Sequence, residues 1–319
     1  MFINIFVLLV MMAVSVLFGW VTRQSWQTKN IFSKWGGTIL SGLLSALVGF
    51  ASIATVIGMV KAYTPRTAPV PDLKVAGTPQ QIQRGEHIAN AFCTSCHSVS
   101  KELPLTGGVD LGKDFPIPLG AFVSANLTPA GPLRDWSDGE IFRAIRNGVD
   151  RDSRELFVMS NFRGRNLSDD DLQALIAYLR SQPAVASKIV NPPDQPSILG
   201  FIMLGAGMLP SGQSSITAVI TAPSKGPTAE YGKYILSYQD CRDCHGEDLL
   251  GGKKGQLSPI GPSLKLVKGW TQEQFITSLR TGVDPSGHEL DPAKMPWKSI
   301  GRMDDDELTA IYLYLSNMP

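Results

Sequence analysis

Charged residues are missing from two long stretches near the start of this 319-residue sequence, residues 2–22 and residues 35–60. About 20 apolar residues are enough for a helix to cross a bilayer, so residues 1–62 are predicted to form a transmembrane hairpin. A pair of buried core helices is the alternative, although a core helix rarely runs uncharged over such a length. No basic residue precedes the first stretch, so it lacks the basic segment that opens a cleaved signal peptide.

Acidic residues are missing from the segment between the two stretches, which carries Arg23, Lys29 and Lys34. The positive-inside rule puts this segment on the cytoplasmic side. Lys61 and Arg66, just beyond the second stretch, reduce the difference in positive charge between the two sides. The prediction is a protein of the bacterial cytoplasmic membrane with two transmembrane helices in the lipid bilayer. Everything after the second helix is then expected on the periplasmic, outer side.

The later part of the chain has no excess of basic residues. Residues 76–183 hold 11 basic and 13 acidic residues, and residues 226–319 hold 10 and 13. Such mildly acidic segments do not suit a phosphate backbone, so no nucleic-acid partner is expected. No glycine-rich dinucleotide loop follows a strand, so the sequence gives no sign of a nucleotide cofactor.

The sequence contains an internal duplication, with one copy in residues 80–183 and the other in residues 227–319. Three stretches align by eye: RGEHIANAFCTSCH with YGKYILSYQDCRDCH, WSDGEIFRAIRNGVD with WTQEQFITSLRTGVD, and MSNFRGRNLSDDDLQALIAYL with MPWKSIGRMDDDELTAIYLYL. Each copy has the size of a small domain. The predicted organisation is a hairpin at 1–62, linkers at 63–79 and 184–226, and two tandem domains.

Helical periodicity and helix-end signals recur in both copies, whereas no strand pattern is persuasive, so an all-α fold is predicted. Each copy opens with a short helix that ends at its cysteines. A second helix is expected after Ser137, with Glu140 completing a capping box, and it should end at Gly148, as its counterpart does at Gly282. A last helix follows Ser168 and three aspartates, whose charge suits the positive end of a helix dipole.

Two apolar features have no obvious partner in the sequence. The run from Leu199 to Leu209 is too short to span a membrane. It is expected to pack between the two domains, and contact with the membrane or with a partner protein are the alternatives. Ser41, Ser45 and Gly49 form a small-residue ridge in the second apolar stretch, which lets helices approach closely. The ridge suits either an assembly surface for other subunits or packing on the first helix.

The chain has only four cysteines, and all of them lie in two copies of the pattern Cys-x-x-Cys-His, which is the attachment signature of haem c. Two intervening residues on one helical turn place both sulfurs at the edge of the macrocycle, where each bonds to one vinyl-derived carbon. The next residue then turns its imidazole toward the iron. Two covalently bound haem c groups are therefore predicted. The residues expected to attach and ligate them are Cys93, Cys96, His97, Cys241, Cys244 and His245.

Three other roles of paired cysteines fit the sequence less well. A four-cysteine zinc site usually brings its pairs much closer in sequence than Cys96 and Cys241 lie here. A redox dithiol has no need of a histidine after both pairs. A disulfide that closes a two-residue loop is strained.

Methionine often supplies the sixth iron ligand in c-type cytochromes and raises the reduction potential. Met159 is the only methionine of the first copy, and it aligns with Met295 in the second. Met303 aligns with Leu167, just before the last helix, and is expected in the core. The predicted iron ligands are therefore His97, Met159, His245 and Met295.

Two further histidines occur outside the motifs. His87 lies on the first helix of its copy, and His288 lies in a loop whose counterpart holds Arg154. Because neither histidine is repeated, both are expected to be surface or structural residues.

Motifs of the first copy resemble the class I cytochrome c family, and especially the cytochrome subunits of membrane-bound alcohol and gluconate dehydrogenases. Those subunits carry an Asn-(Ile/Leu)-Thr-Pro loop, Trp-Ser/Thr-Asp before a helix, an axial methionine and a Leu-Ser-Asp-x-Asp-Leu helix start. The matching sequences here are NLTP at 126–129, WSD at 136–138, Met159 and LSDDDL at 167–172. The resemblance covers both copies. It implies an all-helical fold around each haem, one haem edge exposed for electron exchange, and the Asn126 loop near the haem.

The sequence departs from that family in two respects. The dehydrogenase subunits typically have three haem units and a C-terminal anchor, whereas this chain has two copies and an N-terminal hairpin. Ser160 replaces the proline that usually follows the axial methionine, although Pro296 does follow Met295. The resemblance therefore bears on the haem chemistry and leaves the dehydrogenase partner open.

The function predicted from the sequence is electron transfer on the outer face of the membrane by an anchored dihaem cytochrome c. It would be a non-catalytic subunit of a respiratory or photosynthetic complex. Its expected partners are membrane-embedded electron-transport subunits and soluble or membrane-bound electron donors and acceptors. A dihaem peroxidase is the alternative, although it needs one iron with an open coordination site and both copies offer a methionine. A haem-bearing structural tether is a third hypothesis.

Overall fold

The computed structural model describes residues 2–187, 193–210 and 212–319, and it is predominantly helical. Two long helices open the chain: α1 (Phe2–Trp26) and α2 (Ile31–Tyr63). The first copy contains α3 (Pro79–Ile88), a π-helical turn (Ala89–Cys93), α4 (Thr94–His97), α5 (Asp138–Asn147), α6 (Phe157–Ser160) and α7 (Asp169–Ser181). Then come α8 (Ile198–Gly205), α9 (Ala229–Tyr238), α10 (Cys241–His245), α11 (Gln272–Thr281), α12 (Trp297–Ile300) and α13 (Asp305–Ser316). One antiparallel strand pair, β1 (Gly120–Ala121) and β2 (Gln195–Pro196), ties the first copy to the following linker.

The first two helices are long and apolar enough to cross a membrane, and they leave most of their surface uncovered. Only 6% of the most apolar part of α1 and 22% of that of α2 is buried. Large side chains such as Phe6, Leu43 and Phe50 are exposed. Core helices of a soluble domain would be mostly covered by protein, so the core-helix alternative is not supported.

The connection between α1 and α2 is shorter than the sequence suggested. Arg23 and Lys34, expected in the loop, lie within the ends of the two helices. Asn30 starts α2 because its side-chain oxygen accepts hydrogen bonds from the backbone amides of Phe32 and Ser33 at 3.0 and 3.2 Å. This cap satisfies amides that a helix start leaves without partners, so α2 begins earlier than its apolar stretch.

The small-residue ridge of α2 packs on α1. The hydroxyl of Ser45 donates to the carbonyl of Ser15 at 2.9 Å, and the hydroxyl of Ser15 donates to the carbonyl of Ser45 at 3.0 Å. Ser41 and Thr22 share a hydrogen bond of 2.8 Å between their hydroxyls. The ridge therefore holds the hairpin together, which favours the second of the two roles considered for it.

The apolar run after residue 197 forms α8, which packs along the C-terminal end of α2. The ring of Phe201 lies 5.9 Å from that of Tyr63, and the ammonium of Lys61 donates to the carbonyl of Leu204 at 3.2 Å. Leu204 also joins Leu119 of the first copy in a small apolar cluster. The prediction that this run packs is correct, but its main partner is α2, which the sequence-based expectation of packing between the two domains missed.

The first and last helices of each copy cross in the same way. A Cβ atom added to Gly85 in α3 would lie 1.9 Å from the carbonyl oxygen of Ala174 in α7. A Cβ added to Gly232 in α9 would lie 2.0 Å from the carbonyl oxygen of Ala310 in α13. Only glycine lets the two backbones approach this closely. The repeated crossing fixes where the residues after α3 and α9 emerge, which are the two cysteine motifs.

The helix ends of the first copy follow the predicted signals. Ser137 and Glu140 form a reciprocal capping box at the start of α5, and Gly148 ends that helix in the left-handed conformation with φ 62°. Gly282 ends α11 in the same way with φ 76°. Ser168 caps α7 by accepting a hydrogen bond from the amide of Asp171. These local predictions are confirmed, except that α7 begins at Asp169 and so includes the three aspartates that were expected to precede it.

A single apolar core runs through both copies. Arg84 of α3 pairs with Asp171 of its own copy and with Glu307 of the other, each at 2.8 Å. The Nε2 of His87 lies 2.5 Å from Glu307 as well, so this histidine is structural, as expected. The two copies thus pack as one body, and the domain boundaries remain predictions from the sequence.

Candidate functional site

The first cysteine motif lies where the helical path widens. The five residues Ala89–Cys93 are π-helical, and α4 continues directly from them. Such π turns inside helices are frequent at functional sites. The side chains of Cys93, Cys96 and His97 line one cavity of about 310 Å³, a volume within the range of small-molecule sites.

Met159 on α6 lines the same cavity. The structure therefore brings together all four residues that the sequence predicts for the first site. The rest of the lining is mostly apolar and includes Phe92, Leu105, Phe122, Leu133, Trp136 and Ile141. An apolar lining with a few convergent polar groups is typical of a cofactor site.

Both motif histidines have one ring nitrogen held by a backbone carbonyl. The Nδ1 of His97 lies 3.3 Å from the oxygen of Ala125, and the Nδ1 of His245 lies 2.7 Å from the oxygen of Pro262. In each pair Nδ1–H donates, which leaves Nε2 with a free lone pair for a metal. Burial lowers the pKa of both imidazoles, so both stay neutral, as a metal ligand must.

The backbone around the two motifs is also repeated. The amide of Gly107 donates to the carbonyl of His97, and the amide of Gly251 donates to that of His245, both at 2.8 Å. Each motif histidine is thus fixed at its ring and at its backbone by the loop that follows it. The two motif histidines therefore make the same ring and backbone contacts in both copies.

No disulfide joins any of the four cysteines, all of which lie in the described part of the chain. Burial, with a smaller contribution from nearby charges, raises the pKa of Cys93 and of Cys241 to about 12. A redox dithiol needs a lowered thiol pKa, so this alternative is not supported. The disulfide alternative is not supported either.

The zinc alternative also fails on geometry. Within residues 2–187, 193–210 and 212–319, one group of three or more His, Cys, Asp or Glu side chains is close enough to share a metal ion, and it consists of His87, Asp304 and Glu307. Neither cysteine pair belongs to it. Arg84 already pairs with Glu307, so this group is an ion-pair cluster rather than a cation site.

Two methionines of the second copy have different surroundings. Met303 is 2% exposed and lies within the shared core, which confirms its predicted role as a core residue. Met295 is half-buried at the edge of the core, just before α12. Its role as an iron ligand at the second motif remains a prediction.

The loop around Asn126 lies at the first cavity, but the Asn126 side chain does not line it. Ala125 and Leu127 are the lining residues. The amide of Asn126 donates to the carbonyl of Val185 at 2.9 Å, and its oxygen accepts from the amide of Thr128 at 2.9 Å. Asn126 therefore holds the shape of the loop that carries the hydrogen-bond partner of His97.

Sequence reasoning missed the part of the first cavity that lies outside the copy. Ala62 and Tyr63, at the end of α2, and Leu204 of α8 all line it. No local pattern marks these residues, because their role comes from packing between segments far apart in the chain. The hairpin of α1 and α2 and the first site are therefore contiguous.

The two motifs lie next to each other across the junction of the copies. The ring of Phe92, just before Cys93, meets Tyr238 edge-on with 5.7 Å between ring centroids. Burial and the neighbouring Asp243 raise the pKa of Asp240 to about 7. The negative charge of Asp240 also contributes to the raised pKa of the Cys93 thiol. The charge of one carboxyl group thus raises the thiol pKa in both motifs.

These residues fit a covalently attached haem c. The first cavity presents two thiols at its wall, an imidazole whose Nε2 is free, and a thioether on a separate helix. These are the groups that attach haem c and complete its iron coordination. The apolar lining suits a porphyrin, and no part of the donor set conflicts with it.

Comparison with known families identifies both copies. The profile of the family described as cytochrome c oxidase, cbb3-type, subunit III matches residues 80–179 and residues 227–315. The two matches coincide with the two copies of the duplication and cover more than half of the chain. The family implies covalently bound haem c.

Several named proteins are similar to this chain. It is 28% identical over 312 residues to a nicotinate dehydrogenase subunit of Pseudomonas putida, covering 90% of this chain and 25% of that protein. It is 24% identical over 268 residues to the gluconate 2-dehydrogenase cytochrome c subunit of Pantoea cypripedii, covering 74% and 59%. It is 24% identical over 269 residues to the alcohol dehydrogenase (quinone) cytochrome c subunit of Gluconobacter oxydans, covering 75% and 55%.

The chain spans less than two thirds of the length of each of these relatives. The resemblance to the cytochrome subunits of alcohol and gluconate dehydrogenases, drawn from the NLTP, WSD and LSDDDL motifs, is confirmed.

Proposed function

This chain belongs to the family described as cytochrome c oxidase, cbb3-type, subunit III, and we propose that it is a membrane-anchored cytochrome c with two haems. It would transfer electrons on the outer face of the membrane as a subunit of a respiratory dehydrogenase complex.

The first cavity is the observation that carries this proposal. Cys93 and Cys96 would hold the group by two covalent bonds, and His97 would present Nε2 to its iron while Ala125 keeps Nδ1 occupied. Met159 would supply a second protein ligand to the iron. Haem c, when bound, supplies a one-electron couple at its iron. The mostly apolar lining would raise the potential of that couple.

The second motif supports a second haem. Cys241 and Cys244 precede a histidine whose Nδ1–H is engaged more tightly than in the first copy, by the carbonyl of Pro262. Met295 aligns with Met159 and is followed by the proline that the first copy lacks. The two motifs adjoin across the shared core, which suits electron exchange between the two sites.

The hairpin supports anchoring in the bilayer. Its two helices have the length and the exposed apolar surface that lipid requires. Arg23, Lys29 and Lys34 lie around the turn between them, so we place that turn on the cytoplasmic side. Both motifs then lie on the periplasmic side.

The names of the relatives indicate the kind of partner. Two are cytochrome subunits of gluconate and alcohol dehydrogenases, and one belongs to a nicotinate dehydrogenase. A dehydrogenase that delivers electrons to this chain is therefore the proposed partner, and a respiratory complex is favoured over a photosynthetic one. The peroxidase alternative gains no support, because the first cavity offers a methionine as well as a histidine.

The test is purification of the full chain in mild detergent through a C-terminal tag. Intact mass and the pyridine haemochrome spectrum should give two covalent haems per chain. A variant in which serine replaces Cys241 and Cys244 should retain one. Absence of covalent haem from the wild-type chain would overturn the cytochrome assignment.

Mass spectrometry of the co-purified proteins tests the proposed membership of a complex. Dehydrogenase subunits in a fixed ratio are the expected result. A cytochrome that comes out alone, with both haems intact, would be a tethered carrier and would contradict membership of a stable complex.

A further inference from the structure

The two copies differ in how the loop after the cysteine motif is covered. In the first copy this loop runs from residue 105 to residue 135, and α8 lies on it. The hydroxyl of Ser197 donates to the carbonyl of Pro118 at 2.7 Å. Leu119 and Phe122 are buried with Leu204 of α8. Protein from the same chain therefore closes the first loop.

The corresponding loop of the second copy, residues 249–269, is more open, although Leu257 packs against the cluster of Leu119 and Leu204. The two loops start alike, because the amide of Leu127 donates to the carbonyl of Leu105, and that of Leu264 to the carbonyl of Leu249, both at 2.9 Å. From there the second loop carries three exposed apolar side chains. They are Leu250, Ile260 and Leu266, which are 45%, 59% and 38% exposed.

The charge of the second loop has one sign only. It contains four lysines and no acidic residue, although its copy as a whole is acidic. The four lysines are exposed, and within the described parts of the chain none pairs with a carboxylate. They are Lys253, Lys254, Lys265 and Lys268. The first loop, by contrast, mixes three acidic with two basic residues.

The second loop is also the wall of the second motif. Its Pro262 carbonyl accepts the hydrogen bond of His245 Nδ1 at 2.7 Å. The amide of Gly261 donates to the carbonyl of Cys244 at 2.8 Å. A molecule bound to this loop therefore lies directly beside the second motif.

We propose that residues 249–269 form a docking surface for an acidic protein that exchanges electrons at the second site. This inference rests on the proposed function. Exposed apolar side chains between unpaired lysines match an interface with an apolar centre and a charged rim. Opposite charge on the partner would steer it to this surface and fix its orientation.

An anionic lipid surface is the other polyanion that these lysines could meet. Leu257 of the same loop packs on the apolar cluster that also contacts Ala62, at the C-terminal end of α2. The protein partner is favoured because the apolar side chains flank the second motif, where a redox partner must approach. The experiment distinguishes the two.

The experiment uses the full chain in nanodiscs and measures the acetylation rate of each lysine by mass spectrometry. Poly-L-aspartate serves as the acidic probe, in nanodiscs of neutral phosphatidylcholine. We expect it to slow acetylation of the four loop lysines about fivefold. Lys233 and Lys298, exposed lysines of the same copy outside the loop, should react as before.

Nanodiscs that contain phosphatidylglycerol test whether the loop binds an anionic lipid surface instead. Protection of the loop lysines by this lipid alone, without poly-L-aspartate, would overturn the proposal in favour of membrane docking. Equal reactivity of loop and control lysines in all conditions would also overturn it. Both readouts are independent of haem content, so they can fail or succeed separately from the proposed function.

Charge variants test whether the loop serves electron exchange at the second site. Ferricyanide, a trivalent anion, should oxidise the dithionite-reduced protein more slowly when Lys253 and Lys254 are both changed to Gln, by about threefold at low salt. The matched control, Lys233→Gln with Lys298→Gln, makes the same change in net charge outside the loop and should slow the rate less. Equal rates for the two variants would show that the loop does not serve the second site.

Discussion

Arg163 of the first copy forms an ion pair with Asp243, which lies between the two cysteines of the second motif, with 2.6 Å between Nε and Oδ1. Arg163 also pairs with Glu247. It follows shortly after Met159, the predicted ligand of the first site. One side chain therefore joins the Met159 loop to the second attachment segment, and a displacement of either segment is transmitted to the other.

Replacement of Arg163 by Met should destabilise the junction between the copies. We expect a loss of about 1 kcal/mol, because Asp243 is only partly buried and solvent screens the pair. The melting temperature should fall by about 2–4 °C, as measured by circular dichroism in detergent. Arg134→Met is the control, since its pair with Asp135 is exposed on both sides and should have little effect. Equal melting temperatures for the two variants would contradict the role of Arg163.

Addition of a methyl group at the helix crossings should be costly. In Gly85→Ala the new Cβ would lie 1.9 Å from the carbonyl oxygen of Ala174, so α3 and α7 must move apart. We expect a loss of at least about 2 kcal/mol. Gly269→Ala is the control, because nothing lies within 4 Å of its Cβ position. The prediction is wrong if both variants unfold at the same temperature.

The cluster around Glu307 should make stability depend on acidic pH. Burial alone would raise the pKa of Glu307, but hydrogen bonds and charge from His87 and Arg84 outweigh it and hold the pKa at about 2. An unfolded glutamate titrates near pH 4.3, so between about pH 4.3 and pH 2 the unfolded chain binds more protons. This contribution, about 3 kcal/mol, is complete above that window and is lost as the pH falls through it.

Melting temperatures measured from pH 6 to pH 2 test this linkage. Glu307→Gln should remove most of the acid-dependent decrease, while Asp306→Asn, at an exposed position, should leave it in place. A wild-type curve that is flat over this range would rule out the linkage.

Met159 and Met303 should behave differently although both are methionines. Met159→Ala should abolish the thioether-to-iron charge-transfer band of one haem and lower its reduction potential. Met303→Leu should leave both spectrum and potential unchanged, because leucine occupies the equivalent position 167 of the first copy. Potentiometric titration with optical detection makes the comparison. Identical spectra for the two variants would remove Met159 from the ligand set.

Local features of the fold were predictable because each depends on a few neighbouring residues. The capping box of Ser137 and Glu140 needs only its own turn. The left-handed end at Gly148 needs only a residue without Cβ. Comparison of the two copies added longer-range information. The alignment of Met303 with Leu167 identified a core methionine that composition alone would not.

Contacts between distant segments could not be predicted in the same way. The packing of α8 on α2 joins residues far apart in sequence, and an apolar run of that length fits several partners equally well. The same holds for Ser45. Its small side chain suits packing on α1 or on another subunit, and only the hydrogen bonds with Ser15 show that it packs on α1. The more open second loop was also missed, because exposure depends on what α8 covers.

The hairpin cannot be treated as a detachable tail. Ala62 and Tyr63 form part of the wall of the first cavity. A water-soluble fragment cut after residue 63 would therefore begin with one side of that cavity open to solvent, and water there would stabilise the more charged oxidation state of whatever the cavity holds. Potentials measured on such a fragment would describe a different molecule from the chain with its hairpin.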